Sequence, residues 1–311
     1  MMRIGVLRGR ENFFPDAFIA RVNELGGGQI SAEYIQLGGT WLNEPCPYVV
    51  ILDRMSHEVP YYQVYVKAAM LQGTYVINNP FWRSADDKFF GYCAAERLGI
   101  KEPKTIVLPN REYVEDVSPE SLRNLWPIDF AGALEKTGAP AILKPAFGGG
   151  WKSVSKVHTV EELVARYNES GQLTMLLQEF IEWEDYIRVP TIGRKYARAI
   201  RYVPRPGGQG EYVQDFDAVS PELRQRSEEA AIRLNQFLGY DMNAVEFAVR
   251  GGELYGIDLT NYVCDLDLRS LKEAHFPWAV ESMAQFALER ARERAQPVAV
   301  GNWEGLLLGK R

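Results

Sequence analysis

Cysteine and histidine are scarce in this chain, three of each among 311 residues. Cys46, Cys93 and Cys264 are widely spaced and form no CxxC pair. That spacing argues against a disulfide framework or a zinc site. It leaves a reducing cytoplasm as the expected compartment, with each cysteine a small buried hydrophobe. The histidines carry little chemistry: His57 follows DRMS near a strand end, His158 and His275 sit at helix starts, and no general base stands out. No apolar run approaches the roughly 20 residues of a membrane helix. The opening MMRIGVLRGR reads as a short buried strand rather than a signal peptide, because charge follows its brief apolar run at once. Long basic tracts are missing and the formal net charge is -6, which argues against nucleic acid as a partner. There is no internal repeat, no GxxxxGK[ST] and no GxGxxG.

What is present is an ordinary globular composition, 46% hydrophobic and 24% charged, on a chain long enough for two or three subdomains. The first eighty residues alternate as a small doubly wound α/β unit. RIGVL, YVVILD and TYVINNP read as strands, and VPYYQVYVKAAMLQG as a helix with a glycine stop. Asp53 and Arg54 follow directly on a strand, where open sheets place ligand groups; a helix cap and a surface salt bridge is the plainer reading. SADDKFFGYCAAERLGI predicts a serine-capped helix, IDFAGALEKTG another, and Thr159 with Glu162 a capping box for VEELVARY. Residues 110–127 predict an irregular loop. KTIVLP, PAILKP and TMLLQEFI read as strands, and the second half adds alternating strands with RGGE as a hairpin turn. PELRQRSEEAAIRLNQFLG predicts a helix, and a long helix beginning at Pro277 follows.

The most telling stretch is AILKPAFGGGWKSVSKV, Ala141 to Val157, in which a strand ends on Lys144 and then gives up three side chains in a row. Consecutive glycines let backbone N–H groups converge on one anion, and a lysine and serines beside them add charge and hydroxyl donors. That set suits a triphosphate, although such a loop alone is more often a plain hairpin.

Four stretches in order, DKFFGYCAAERLGIKEPKT, AILKPAFGGGWKSVSKV, LQEFIEWEDYIRVPTIG and NAVEFAVRGGELYGIDLTN, together resemble the ATP-grasp superfamily over roughly residues 80 to 265. Its carboxylate–amine ligases, such as glutathione synthetase and D-alanine–D-alanine ligase, are the type resembled. The resemblance implies an ATP-grasp fold, α/β and α+β, behind an N-terminal doubly wound pre-ATP-grasp domain at 1–84. The ATP-grasp subdomains then fall at 85–178 and 179–311. It implies that Lys88 and Lys144 hold phosphates and that Gly148, Gly149, Gly150 and Ser153 form the loop closing over them. Glu179, Phe180 and Ile181 would lie beside adenine, and Glu182 or Asp185 would take the ribose hydroxyls. Arg188 and Arg201 would be the catalytic cations near the γ-phosphate and the acyl substrate.

The resemblance also implies a Mg²⁺ site at Glu246, Asp258 and Asn261. Two acids on a hairpin meet that ion's need for oxygen ligands. The chain departs from the family's acid-x-Asn: Thr260 stands at the Asn spacing, Asn261 comes one later, and YVCDLD replaces the usual Pro and Gly. The implied activity is an ATP- and Mg²⁺-dependent joining of a small-molecule carboxylate to an amine through an acylphosphate. An ATP-grasp-type small-molecule kinase and a non-catalytic nucleotide-binding protein are the alternatives. Asp265 and Asp267, just past the metal site, point to a cationic amine such as a basic amino acid or polyamine, with a short peptide also open. A homodimer is left open.

Overall fold

The computed structural model describes residues 1–42, 44–81, 87–118, 120–149, 151–205 and 210–295. Its first unit runs β1 (Met2–Leu7), α1 (Phe14–Leu25), β2 (Ile30–Tyr34), β3 (Val50–Asp53), α2 (Pro60–Leu71) and β4 (Tyr75–Ile77). These strands form a parallel sheet of order β2-β1-β3-β4. Their near-continuous apolar runs are explained by burial on both faces. Ile4, Val6, Val50 and Leu52 pack with Phe14 and Phe18 of α1, while Leu7, Ile51 and Val76 pack with Val66 and Met70 of α2.

A second unit follows: α3 (Lys88–Arg97), β5 (Thr105–Leu108), α4 (Phe130–Thr137), β6 (Ala141–Pro145), β7 (Ser155–Val157), α5 (Val160–Asn168) and β8 (Met175–Glu179). Its sheet is antiparallel, order β5-β8-β6-β7, so the glycine stretch is the connection between paired β6 and β7. Ser84, the expected cap of α3, lies outside the described residues. Asp87 caps the helix instead, accepting from the Phe90 amide at 2.6 Å. Thr159 caps α5 as expected, but Glu162 reaches back to the amide of His158 rather than to that of Thr159.

The third unit holds β9 (Asp185–Ile192), β10 (Tyr196–Ala197), β11 (Ile200–Val203), β12 (Glu211–Tyr212), α6 (Pro221–Leu238), β13 (Met242–Arg250), β14 (Glu253–Asp258) and α7 (Leu268–Arg292). Its sheet has order β12-β11-β9-β13-β14, with β10 beside β9. Gly251 and Gly252 turn β13 into β14 with φ of +59° and +74°, the left-handed pair a two-residue hairpin demands. The last helix begins nine residues before Pro277 because Asp267 supplies a cap, and it breaks once at Lys272, where φ is +54°. No described helix is long and apolar enough to cross a membrane.

Packing joins the units. Met283, Ala284, Ala287 and Leu288 of α7 share one core with α1 and with Met242, Ala244 and Ala248 of β13. Tyr92 and Ala95 of α3 pack with Ala231 and Leu234 of α6 on the other face, against Ile187, Val245 and Phe247. The first unit is also stapled to the third by polar contacts. Asn78 donates to the carbonyls of Met242 and Tyr262 at 2.7 and 2.8 Å and accepts from the Met242 amide. Tyr75 donates to Asp241 at 2.6 Å. The cysteines are less uniform than expected: only Cys264 is buried, and Cys93 is exposed because it projects from the side of α3 away from its core face.

Candidate active site

The alternation of β13 sends Met242, Ala244, Glu246 and Ala248 to one face. Glu246 is therefore the charged exception in an apolar row. It stands opposite Arg188 of β9 on one side and Asp258 of β14 on the other, and residues directly opposite in a ladder share a face. An irregularity in register beside Glu246 lets Asp258 keep that place. The row thus reads cation, acid, acid across three strands. Tyr186 donates to Glu246 at 2.6 Å, and the Arg188 Nε lies 3.4 Å from its other oxygen. Burial opposes the Arg188 charge, but Tyr212, Glu246 and Tyr202 around it hold its pKa raised.

Two lysines close on this row. Lys88, in the first turn of α3, places Nζ 3.4 Å from Asp258 and donates to the Gly148 carbonyl at 2.8 Å. Lys144 donates to the Tyr92 hydroxyl at 2.8 Å and to the Ile257 carbonyl at 3.1 Å. Burial pushes its pKa down to about 8, against the pull of Asp258 and Glu246. The same burial, with Asp258 nearby, raises the pKa of Tyr92. Of the glycine loop, Gly148 takes φ +81° with open space where a side chain would be, and Gly149 is equally open. Gly148, Gly149 and Ser153 are exposed, and Gly150 lies outside the described residues.

The expected adenine connector is mixed. The Glu179 carboxylate accepts from Lys104 N at 3.3 Å and Arg250 Nη1 at 3.1 Å, so its side chain belongs to the fold. Phe180 has Lys156 Nζ 3.7 Å above its ring, Ile181 is buried, and Glu182 is exposed. Asp185 pairs with Arg201 at 2.8 Å. Arg201 stands opposite Ile187, so it lies on the face away from Arg188 and Glu246. The structure gathers Lys88, Lys144, Arg188, Glu246, Asp258 and the Gly148 carbonyl, and it sets Arg201 apart with Asp185. Asn261 is held through its backbone, donating to Asn243 at 2.6 Å and accepting from Ala244 at 3.1 Å. Tyr92 and Tyr186 went unread as site residues. Tyr186 could have been found two residues before Arg188, on the same strand face.

A divalent cation fits this donor set. Asp258 Oδ1 is buried without a hydrogen-bond partner, next to Glu246, and paired carboxylate oxygens are what Mg²⁺ takes from a protein. Among the described residues no three His, Cys, Asp or Glu side chains gather as a metal cluster.

The paired acids beyond this row divide sharply. Asp267 accepts from the amides of Asn12 and Phe13 at 2.9 and 2.8 Å and from Arg269 N at 3.1 Å. It ties the loop after β1 to the start of α7, so its carboxylate is committed to backbone amides. Burial disfavours its charge, yet these amides together hold its pKa below the usual range. Asp267→Ala is expected to lower stability by about 2 kcal/mol, the cost of leaving buried donors unmet. A urea midpoint measures it. A depressed folded pKa means stability present above the ordinary Asp range and lost as pH falls through the folded value. Wild type should therefore lose stability on acidification more steeply than Asp267→Ala.

No family model matches the chain. An alignment of 140 positions, covering 40% of this chain and 12% of the relative, is 28% identical to human mitochondrial pyruvate carboxylase. Another alignment of 172 positions, covering 52% of this chain and 40% of the relative, is 28% identical to the formate-dependent phosphoribosylglycinamide formyltransferase of Methanocaldococcus jannaschii. The chain thus spans well under two thirds of these relatives. Among solved structures, D-alanine–D-alanine ligase from Bacillus anthracis superposes with TM-score 0.63 at 17% identity, over 95% of this chain and 100% of that one. N5-carboxyaminoimidazole ribonucleotide synthetase from Thermus thermophilus gives 0.62 at 16%, over 93% and 78%. A RimK domain ATP-grasp protein from Sphaerobacter thermophilus gives 0.58 at 20%, over 92% and 99%. With the N-terminal parallel sheet followed by the two antiparallel ones, the chain has the ATP-grasp fold.

Proposed function

We propose that this protein is a ligase that uses ATP and Mg²⁺ to join a carboxylate to an amine. The observation that carries the reading is the convergence of Lys88, Lys144 and Arg188 on the Glu246–Asp258 pair, whose Asp258 Oδ1 is buried without a hydrogen bond while Oδ2 faces Lys88. Relatives and structural neighbours named as ligases, synthetases and carboxylases support it.

In this reading the substrate carboxylate attacks the γ-phosphorus, the bond to ADP breaks, and an acylphosphate results. The amine then bonds to the acyl carbon as the bond to phosphate breaks. Of the two protons an ammonium loses, one leaves on the phosphate and one enters solvent. Lys88 and Lys144 offset phosphate charge, and Arg188, kept cationic by its neighbours, faces the moving group. Glu246 and Asp258, with Asn261 near, would hold Mg²⁺, which when bound offsets charge on the phosphates. Main-chain groups of Phe180 and Ile181 would meet adenine. Glu182, exposed while Asp185 is tied to Arg201, is the better candidate for the ribose. The unpaired thiols suit a reducing cytoplasm.

The test is phosphate release from ATP and Mg²⁺ with paired carboxylates and amines. Release that needs both substrates supports the ligase. A phosphorylated product without release makes it a kinase, and no turnover overturns the enzyme. The loop gives a second readout. Amides of Phe147 to Gly149 and Trp151 to Ser153 should exchange more slowly once ATP and Mg²⁺ are added, since exposed glycine-rich backbone gains contacts only from the nucleotide. Equal exchange with and without nucleotide would mean a static hairpin.

A further inference from the structure

The N-terminal sheet reverses its order between β1 and β3, since β2 lies on one side of that pair and β4 on the other. Connections leaving two such strands diverge, and a crevice opens at their carboxyl ends. Here it is a cavity of about 350 Å³, walled by the loops after β1 and β3 and by the segment that follows the Asp258 strand. That volume is within the range that holds a small molecule.

Most charges in the cavity are already matched. Arg54, 2% exposed, is gripped by Glu11 and by the Cys264 carbonyl at 2.6 Å. Arg10 pairs with Glu58. Asp267 is spent on backbone amides. Two charges remain. Asp265 accepts from Ser270 Oγ and the Asp267 amide and forms no salt bridge among the described residues, with Arg54, already held by Glu11, only within electrostatic reach. Arg269 lies 5.6 Å over the Phe13 ring and pairs with no acid among the described residues. Both are exposed, and both line the cavity.

The cavity also adjoins the reacting centre. Tyr212 has the Arg188 guanidinium 5.5 Å from its ring centre, lies within electrostatic reach of Cys264, Asp265 and Glu246, and keeps a buried hydroxyl with no partner. Arg54, which lines the cavity, also reaches Met242 on the strand face that carries Glu246, so the cavity wall continues into the Arg188–Glu246 row.

We propose that this cavity takes the amine substrate as a free α-amino acid, its ammonium against Asp265 and its carboxylate against Arg269. A polyamine would satisfy Asp265 but bring a second cation toward Arg269, and a plain carboxylate would do the reverse. Only a molecule carrying both charges meets both residues. The fate of that amine rests on the ligase reading; its binding does not.

The full-length protein is titrated calorimetrically with the common L- and D-amino acids, with and without ADP and Mg²⁺. At least one should bind, and its decarboxylated amine should bind about tenfold more weakly or worse, as expected for a lost charge-assisted contact. Arg269→Gln should weaken the amino acid about tenfold and leave the decarboxylated amine unchanged, closing the gap, whereas Asp265→Asn should weaken both. Both side chains are exposed, so neither variant threatens folding. The proposal is overturned if no amino acid binds, if the decarboxylated amine binds as well, or if Arg269→Gln weakens both ligands alike. Phosphate release with the same ligand separates the two claims: binding with the predicted selectivity but no release supports the cavity assignment and removes the ligase reading.

Discussion

Replacing Asp258 by Asn is expected to lower turnover by about two orders of magnitude or more, near 3 kcal/mol of transition-state stabilisation, while ATP affinity changes far less. Asn keeps the size and one carbonyl oxygen of the side chain but removes a unit of charge from the Glu246–Asp258 pair. The buried Oδ1 of Asp258 has no hydrogen bond to lose, so the fold should tolerate the exchange. In the proposed reading nucleotide still docks through Lys88 and Lys144, whose ammonium groups do not depend on a cation at the acids. Lys88 loses its partner at 3.4 Å and becomes freer to meet phosphate, which works against any loss of ATP affinity. The measurement is steady-state phosphate release across a Mg²⁺ series, with calorimetric ATP binding in parallel. Turnover should fall, the half-saturating Mg²⁺ should rise, and binding should hold. A variant as active as wild type, or a wild type indifferent to metal, would overturn the ligase reading at its centre.

How much of this site could be read from the chain depended on whether a residue's role is local. Glu246 was named through the resemblance, as one of two acids on a hairpin, and Lys144 stood out because it ends a strand in front of glycines. The hairpin turn was legible because two adjacent glycines at +59° and +74° are what that geometry requires. The fold was legible from four short stretches in order, although the stretches alone do not say which helix covers which sheet. Roles set by contacts over long separations stayed hidden. Asp267 reads as one acid of an exposed pair until its amide partners, more than 250 residues away, are seen. Arg201 and Arg188 look alike in sequence and differ only in the face the ladder gives them. Arg54 looked like a surface ion pair, and it is instead a buried one with Glu11 that helps build the cavity wall.

Lys144→Met is expected to weaken ATP binding by about 2 to 3 kcal/mol, roughly 30- to 160-fold, for loss of a charge-assisted contact to phosphate. Methionine keeps the unbranched stem in a site where Lys144 is 7% exposed, so packing is preserved while charge and donors go. The affected contacts within the protein are two acceptors, the Tyr92 hydroxyl and the Ile257 carbonyl. A pH signature separates a phosphate role from a structural one. Burial puts the Lys144 pKa at about 8, below the usual 10.5 of lysine. As pH rises through that value the free protein discharges, whereas phosphate oxygens beside Nζ would keep the proton on. Above about pH 8, ATP binding should therefore take up a proton, and wild-type affinity should fall as pH climbs toward 10. Stability carries the opposite sign: between about 8 and 10.5 the unfolded chain holds the proton that the folded one has lost, so this group's contribution grows with pH. Calorimetry in buffers of differing ionisation enthalpy reads the uptake directly. The Met variant should show less uptake and a flatter affinity profile across the same range. A folded Lys144→Met that binds ATP like wild type, with unchanged proton uptake, would remove Lys144 from the phosphate site.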